Sequence, residues 1–509
     1  MDTRNLTLVT DFYELTMSNA YFEKGMHDTI VYFDVFFRQI PDNGGYALCA
    51  GLEQIIEYVK NLHFTKDDIE YLSSFGKFSD GFLNYLENFN FTGSIWAVPE
   101  GTVVFPNEPL ITVRAPMIEA QLLETTILMM LNHESLIATK SSRIIAAAKG
   151  RPVMEFGARR AHNVDAAVFG ARAAIIGGCT GTSCTYTSQK FNVIASGTMA
   201  HSFVQSFDSE YEAFKAYAET YPDDCLLLID TYNSLESGIV NAIKVFNEVL
   251  LPKGFRPKGV RLDSGDLAYL SKKIRKILDD AGFSDCKICV SNALDERLIT
   301  SLLNQGACID SFGVGENLIT AKSNPVFGGV YKLSAIEKDG QIVPKIKVSE
   351  NTVKITNPGF KKVYRFYSKD SGKALADVIT LADEKIPDDN YTIFDPQNPW
   401  RKKVLKNYIV QPLHQEIFKN GQLVYNSPEL SDIAQHCKKE LNTLWDEVRR
   451  MENPHRYYVD LSYELWNLKN RMLNEIKWYL YLRNNRYYFY IIQKNQESIF
   501  AFLIFLYCF

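Results

Sequence analysis

The segment GVRLDSGDLAYL, residues 259–270, gathers one cation and two carboxylates round a short turn. Val260 and Leu262 alternate as in a strand, after which Arg261, Asp263 and Asp266 crowd a turn opened by Gly265. Two carboxylates beside a cation can grip ribose hydroxyls or a magnesium ion. They can equally cap the following helix. That role suits Asp266 better than Asp263, which stands at the strand end. In SFGVGENL, Gly313 and Gly315 free backbone amides to approach an anion, or simply make a turn. In EFGARRAH, Arg159 and Arg160 follow a strand directly, where a guanidinium suits planar recognition of carboxylate or phosphate, or a surface ion pair. Asp230 ends LLLID; it can orient an imidazole, bind magnesium or cap a helix, and the cap is the default. His201 follows a Ser-Gly-Thr turn in IASGTMAHSFVQSF. The stretch alone favours a buried structural imidazole over a phosphoryl acceptor or general base.

These groups need a scaffold that brings them together. From residue 151 short apolar runs recur, each closing on polar or glycine residues: RPVMEFGARR, AAIIGGCTGTS, NVIASGTMAH, CLLLIDTYNS, GVRLDSGD, KICVSNALDE and CIDSFGVGE. Helical stretches such as LAYLSKKIRKILDDAGF separate them. Strand–loop–helix alternation implies a parallel sheet, here a closed or nearly closed α/β barrel with chemistry at the carboxyl ends of its strands. A doubly wound open sheet is the alternative. Upstream, Asp11 can cap a helix that Gly25 ends, TIVYFDVFFRQIP alternates like a strand, 93–116 reads as a small β module, and 117–150 is helical. After Asn324 β-like runs return, then the helical SPELSDIAQHCKKELNTLWDEVRR. The expected fold is α/β: an irregular, TIM-like α/β barrel plus an N-terminal α/β domain completed by C-terminal segments. The divisions are 1–130, 131–325 and 326–477, with an atypical tail at 478–509. That tail holds 12 aromatics in 32 positions, against 13% for the chain. It reads either as a read-through product of an AT-rich gene or as an apolar strap.

The chain has 509 residues, a net charge of −5 and 46% apolar residues. This describes a soluble protein of two or three domains, with no bulk attraction to nucleic acid or an anionic membrane. No secretory signal is visible, and no apolar run is long enough to span a bilayer. Nine cysteines, an odd count, suggest reduced thiols in the cytoplasm. The lone C-x-x-C, Cys286 to Cys289, lacks the second ligand pair a zinc site needs.

Taken in order, TDFYELTM, EFGARRAH, GTMAHSFVQSF, LIDTYNS, GVRLDSGDL and IDSFGVGENLITA resemble the nicotinate phosphoribosyltransferase family, from residue 6 to about 475. The resemblance implies that nicotinate is joined to 5-phosphoribosyl 1-pyrophosphate, giving nicotinate mononucleotide and pyrophosphate on the route to NAD. It implies magnesium, and ATP hydrolysed through a phosphohistidine at His201, which moves that residue from structural to catalytic. Active sites shared between two subunits of a homodimer are implied as well. Tyr13 would then stack on the pyridine ring across the dimer and Phe156 on its other face. Arg159 and Arg261 would hold phosphate or pyrophosphate, Asp263 the ribose, and Gly313 with Gly315 the 5-phosphate. Asp230 would lie near His201 and, with Asp266, near magnesium.

A related family takes nicotinamide and uses an aspartate to accept the carboxamide protons. The corresponding loop here, GGCTGTSCTYTSQ, has no acid, whereas Thr180 and Ser183 can donate to a carboxylate. This favours nicotinate over nicotinamide; quinolinate would want extra cations. A barrel isomerase or aldolase would need a Schiff-base lysine or an acid–base pair near the strand ends, and the nearest lysines, Lys140 and Lys190, sit in no convincing strand-end motif. A degenerate copy would keep only ligand binding.

Overall fold

The computed structural model describes residues 4–476; the aromatic tail, 478–509, lies outside the described residues. Six short strands carry the centre of the chain: β1 (Val153–Glu155), β2 (Gly181–Thr182), β3 (Leu226–Leu228), β4 (Gly259–Leu262), β5 (Lys287–Val290) and β6 (Ser311–Val314). Their neighbour order is β2-β1-β6-β5-β4-β3, and every pair is parallel. The first strand therefore lies beside the last, which is the order of a barrel. A single parallel bridge from Thr182 to Ala195 extends the circle past β2. Among the described residues no ladder joins Ala195 to β3, so hydrogen bonding leaves the circle open there.

Two of the seven expected strands are much reduced. The AAII of AAIIGGCTGTS finishes the helix Val164–Ile176, and only Gly181–Thr182 is strand. That apolar run is buried because its helix packs against the long helix Glu124–Ala147, a burial that periodicity cannot tell from a core strand. NVIASGTMAH contributes only the bridge at Ala195.

A seven-stranded antiparallel sheet lies outside this unit. Its order is Gln341–Pro344, Val330–Lys338, Ile30–Phe36, Ile111–Pro116, Ser94–Ala97, Gln415–Lys419 and Gln422–Leu423. Strands from beyond residue 325 thus flank those from before residue 117 on both sides. The stretch 93–116 is part of this sheet and not a module of its own. Ile30–Phe36 is buried at every position but the first, so its sequence alternation is not an alternation of burial. Lys361–Ser368 and Ala374–Leu381 centre a further four-stranded sheet.

The helix Phe12–Glu23 begins after Asp11, whose side chain makes no capping bond, and ends at Gly25 with φ +65°. The helix Glu124–Ala147 is the girder between the two parts. Its buried Lys140 donates to Glu296 Oε1 at 2.8 Å and to Asp42 Oδ2 at 3.2 Å. Lys140 is thereby consumed in an ion cluster, and Lys190 sits over the Phe169 ring at 4.6 Å. Neither is a free strand-end amine of the kind an aldolase needs. The eight described cysteines are free, and no helix of the described residues is long and apolar enough to cross a membrane.

Candidate active site

The polar residues singled out above follow the carboxyl ends of the parallel strands. Phe156 and Arg159 come after β1, Ser183 after β2, Asp230 after β3, Asp263 after β4 and Gly315 after β6. His201 opens the five-residue helix His201–Gln205 just past the Ala195 bridge. Parallel register aligns the strands so that these ends converge, with Leu228, Arg261, Cys289 and Ser311 in one row.

Arg261 is the hub. Its Nε donates to Ser291 Oγ at 2.9 Å, Nη2 to Asp263 Oδ1 at 3.0 Å and Nη1 to Thr198 Oγ1 at 3.3 Å. Ser291 also donates its hydroxyl to Asp263 Oδ1. Asp263 is thus held from two sides through one oxygen, while Oδ2 faces His201 Nε2 at 3.9 Å. That gap is too long for a hydrogen bond and leaves the carboxylate oxygen open to another donor. The other imidazole nitrogen, Nδ1, lies 3.1 Å from Thr231 Oγ1. The His201 side chain is 40% exposed, which removes the buried structural reading. An oriented imidazole with one nitrogen toward an open carboxylate is a group that can accept or pass on a proton or a phosphoryl group.

Asp230 is not a helix cap. Its Oδ2 accepts from the Asp263 N–H at 3.0 Å and from Ser264 Oγ at 2.5 Å, tying the β3 loop to the β4 loop. The next helical turn is capped by Asn233 instead. Asp230 Oδ1 is buried without a hydrogen-bond partner, which suits a cation. Asp266 differs: its Oδ1 accepts from Tyr269 N at 3.0 Å and caps the helix Leu267–Asp280. No group of three or more His, Cys, Asp or Glu side chains is poised for a metal among the described residues. The open Asp230 Oδ1 therefore fits a magnesium that would take most of its ligands from substrate oxygens and water, and the capping bond of Asp266 leaves its Oδ2 uncommitted.

Phe156 lies beneath this hub, with the Arg261 guanidinium 5.8 Å from its ring centroid. Gly313 is a strand residue paired with Met154, not part of an open anion loop. A Cβ on Gly313 would stand 2.5 Å from Phe156 Cδ2, so this glycine makes room for the ring. Gly315 precedes the four-residue helix Glu316–Ile319 and approaches the Phe156 carbonyl, where a Cβ would stand at 3.0 Å. Arg159 is exposed and has no hydrogen-bond or ion-pair partner among the described residues, whereas Arg160 pairs with Glu316 at 3.8 Å.

Thr180 Oγ1 donates to the Val153 carbonyl at 3.1 Å, so its proton is already engaged. The exposed Ser183 hydroxyl is the freer donor of the two. Tyr13 is 43% exposed on its helix and makes no ring contact with Phe156 within the chain. Burial, and after it the Glu124 carboxylate, pushes its phenol up.

Sequence reasoning passed over Thr231, Ser291 and Glu155. Thr231 and Ser291 stand just past strand ends in runs already noticed, LLLIDTYNS and KICVSNALDE. Glu155 ends β1, accepts from Thr182 Oγ1 at 2.6 Å and is pushed up by burial. The acid-free loop therefore rests on a buried carboxyl, one oxygen of which it satisfies through Thr182 while the Gly157 N–H donates to the other.

Comparison with known proteins points one way. The family described as "Nicotinate phosphoribosyltransferase (NAPRTase) family" matches residues 152–359. Its N-terminal and C-terminal domains match 8–132 and 360–469. The nicotinate phosphoribosyltransferase of Bacillus subtilis is 46% identical over 474 residues, covering 93% of this chain and 96% of that protein. The human protein of the same name is 30% identical, covering 91% and 96%. The crystal structure of human nicotinic acid phosphoribosyltransferase aligns with a TM-score of 0.81 at 29% identity, over 91% of this chain and 99% of that one. A nicotinate-nucleotide pyrophosphorylase from Pyrococcus furiosus aligns with a TM-score of 0.66 at 25% identity, over 86% and 96%. With relatives this similar over nearly its whole length, the chain is an enzyme and belongs to the nicotinate phosphoribosyltransferase family.

Proposed function

We propose that the chain transfers the phosphoribosyl group of 5-phosphoribosyl 1-pyrophosphate to the ring nitrogen of nicotinate, in the cytoplasm, as a homodimer. The observation that carries this reading is the array of Phe156, Arg261, Asp263 and His201 at one end of the parallel strands, inside the region that matches the family. In the reaction the ring nitrogen's lone pair forms the bond to ribose C1, and the C1–oxygen bond breaks with its electron pair leaving on pyrophosphate. The ribosyl centre becomes oxocarbenium-like, so the site must hold the nucleophile in line and spread charge over the leaving group.

Each residue then has a role. The Phe156 face stacks on the pyridine ring, with Tyr13 of a second subunit on the other side. Arg261 and Arg159 take phosphate or pyrophosphate oxygens; the unpartnered Arg159 can reach a ligand without breaking a bond. Asp263 Oδ2, open in the structure, accepts from a ribose hydroxyl. Gly313 and Gly315 keep the backbone near Phe156 clear for the 5-phosphate, and the Ser183 hydroxyl donates to the nicotinate carboxylate. Asp230 would hold magnesium, which would supply charge neutralisation to the pyrophosphate. ATP hydrolysis is coupled through phosphorylation of His201, whose new charge orders the neighbouring loops for substrate.

Mononucleotide formation is measured from nicotinate, nicotinamide and quinolinate, each with phosphoribosyl pyrophosphate and magnesium, with and without ATP. Product from nicotinate alone, stimulated by ATP, is expected. Product only from nicotinamide or quinolinate overturns the substrate, and no stimulation by ATP overturns the phosphohistidine.

A further inference from the structure

A large cavity of the described residues lies away from the strand ends. It holds about 880 Å³ between the N-terminal antiparallel sheet and the segments 352–361 and 451–470, and none of the strand-end residues lines it. A space of this size suits a ligand of nucleotide dimensions.

Its charges do not balance. Arg38, Arg297, Lys361, Arg456 and Lys469 face Asp34, Asp42, Asp395 and Glu452. Three pairings account for most of these: Lys361 with Asp34 at 2.7 Å, Arg297 with Glu452 at 3.6 Å, and Asp42 with Lys140, which lies outside the cavity. Arg38, Arg456 and Lys469 are left against Asp395 alone. Lys469 has an amide oxygen, Asn357 Oδ1 at 2.8 Å, where a carboxylate would be expected. Burial and the Lys361 charge bring its ammonium down to about 8. The Arg38 Nε is buried with no partner, and Arg456 has no hydrogen-bond or ion-pair partner among the described residues. Arg456 is exposed, with the Asp395 and Asp460 carboxylates in its field, whereas the half-buried Lys469 has no carboxylate at ion-pair distance, an arrangement that an arriving anion would complete. Trp466, with its indole N–H held by the Pro396 carbonyl at 3.1 Å, and Tyr457, stacked on Phe105 at 4.1 Å, give the same cavity rigid aromatic walls.

We propose that this cavity is a second ligand site, distinct from the strand-end site, that takes a phosphorylated small molecule of nucleotide size, with Lys469 and Arg456 as its anion contacts. The two sites separate by titration calorimetry with ADP on the full chain. Lys469→Met and Arg456→Gln should each weaken one class of ADP binding at least about tenfold, or about 1.4 kcal/mol. Arg261→Ala should leave that class in place and disturb only binding at the strand ends. Using two variants guards against one that fails to fold. ADP binding that both cavity variants leave unchanged overturns the proposal, as does a single class that disappears with Arg261→Ala. Strand-end binding unchanged by Arg261→Ala, with the cavity class still lost in the cavity variants, would count against the proposed reaction only.

Discussion

At the residue scale the site rests on Arg261 holding Ser291, Asp263 and Thr198 at once. This bonding fixes Asp263 Oδ1 and leaves Oδ2 free toward His201. His201 carries the ATP dependence in this scheme. His201→Ala should therefore cut the ATP-stimulated rate at least about tenfold and reduce the ATP-independent rate far less. Parallel assays with and without ATP check this, and equal loss in both would assign His201 to the transfer step instead. Gly313 acts through the space it leaves. Gly313→Ala puts a methyl 2.5 Å from Phe156 Cδ2 and must turn the ring. The KM for nicotinate should rise about tenfold, a loss of about 1.4 kcal/mol in ring binding. An unchanged KM would mean that Phe156 does not stack on substrate.

At the element scale, short parallel strands deliver side chains to one rim, and a helix after one of them is capped by a residue that looks catalytic in sequence. That residue is Asp266, whose carboxylate accepts from Tyr269 N at the start of Leu267–Asp280. Asp266→Ala should cost about 1 kcal/mol of stability, read as a lowered denaturation midpoint. The magnesium dependence of the reaction should stay as it was; a shifted magnesium requirement would restore Asp266 as a ligand. Asp230 resembles Asp266 in sequence yet behaves differently, because the β3–β4 pairing sets it against the backbone of Asp263.

At the scale of the molecule, buried charge joins segments far apart in sequence. Arg365 is wholly buried and donates to both oxygens of Asp377, at 2.8 and 2.6 Å, to Glu440 at 2.8 Å and to the Val103 carbonyl at 2.8 Å. It thereby ties the four-stranded sheet and the helix Leu430–Thr443 to the N-terminal part. Arg365→Met would strand two carboxylates in the core at a cost of about 3–5 kcal/mol. Urea denaturation should show that loss, while activity per folded molecule holds, since no strand-end residue touches Arg365.

The sequence by itself determined the family, the α/β class and most of the strand-end positions, because ordered motifs and alternating runs are local properties of the chain. It did not settle whether AAII was strand or helix, since both bury the same apolar residues and only packing against Glu124–Ala147 decides. Nor could it separate Asp266 the cap from Asp230 the loop tie, or show that Gly313 serves Phe156. Those roles depend on distances across strands, 33 residues apart for Asp230 and Asp263. The charge imbalance in the large cavity is legible only in three dimensions, because it arises from which cations lack a partner once the chain has folded.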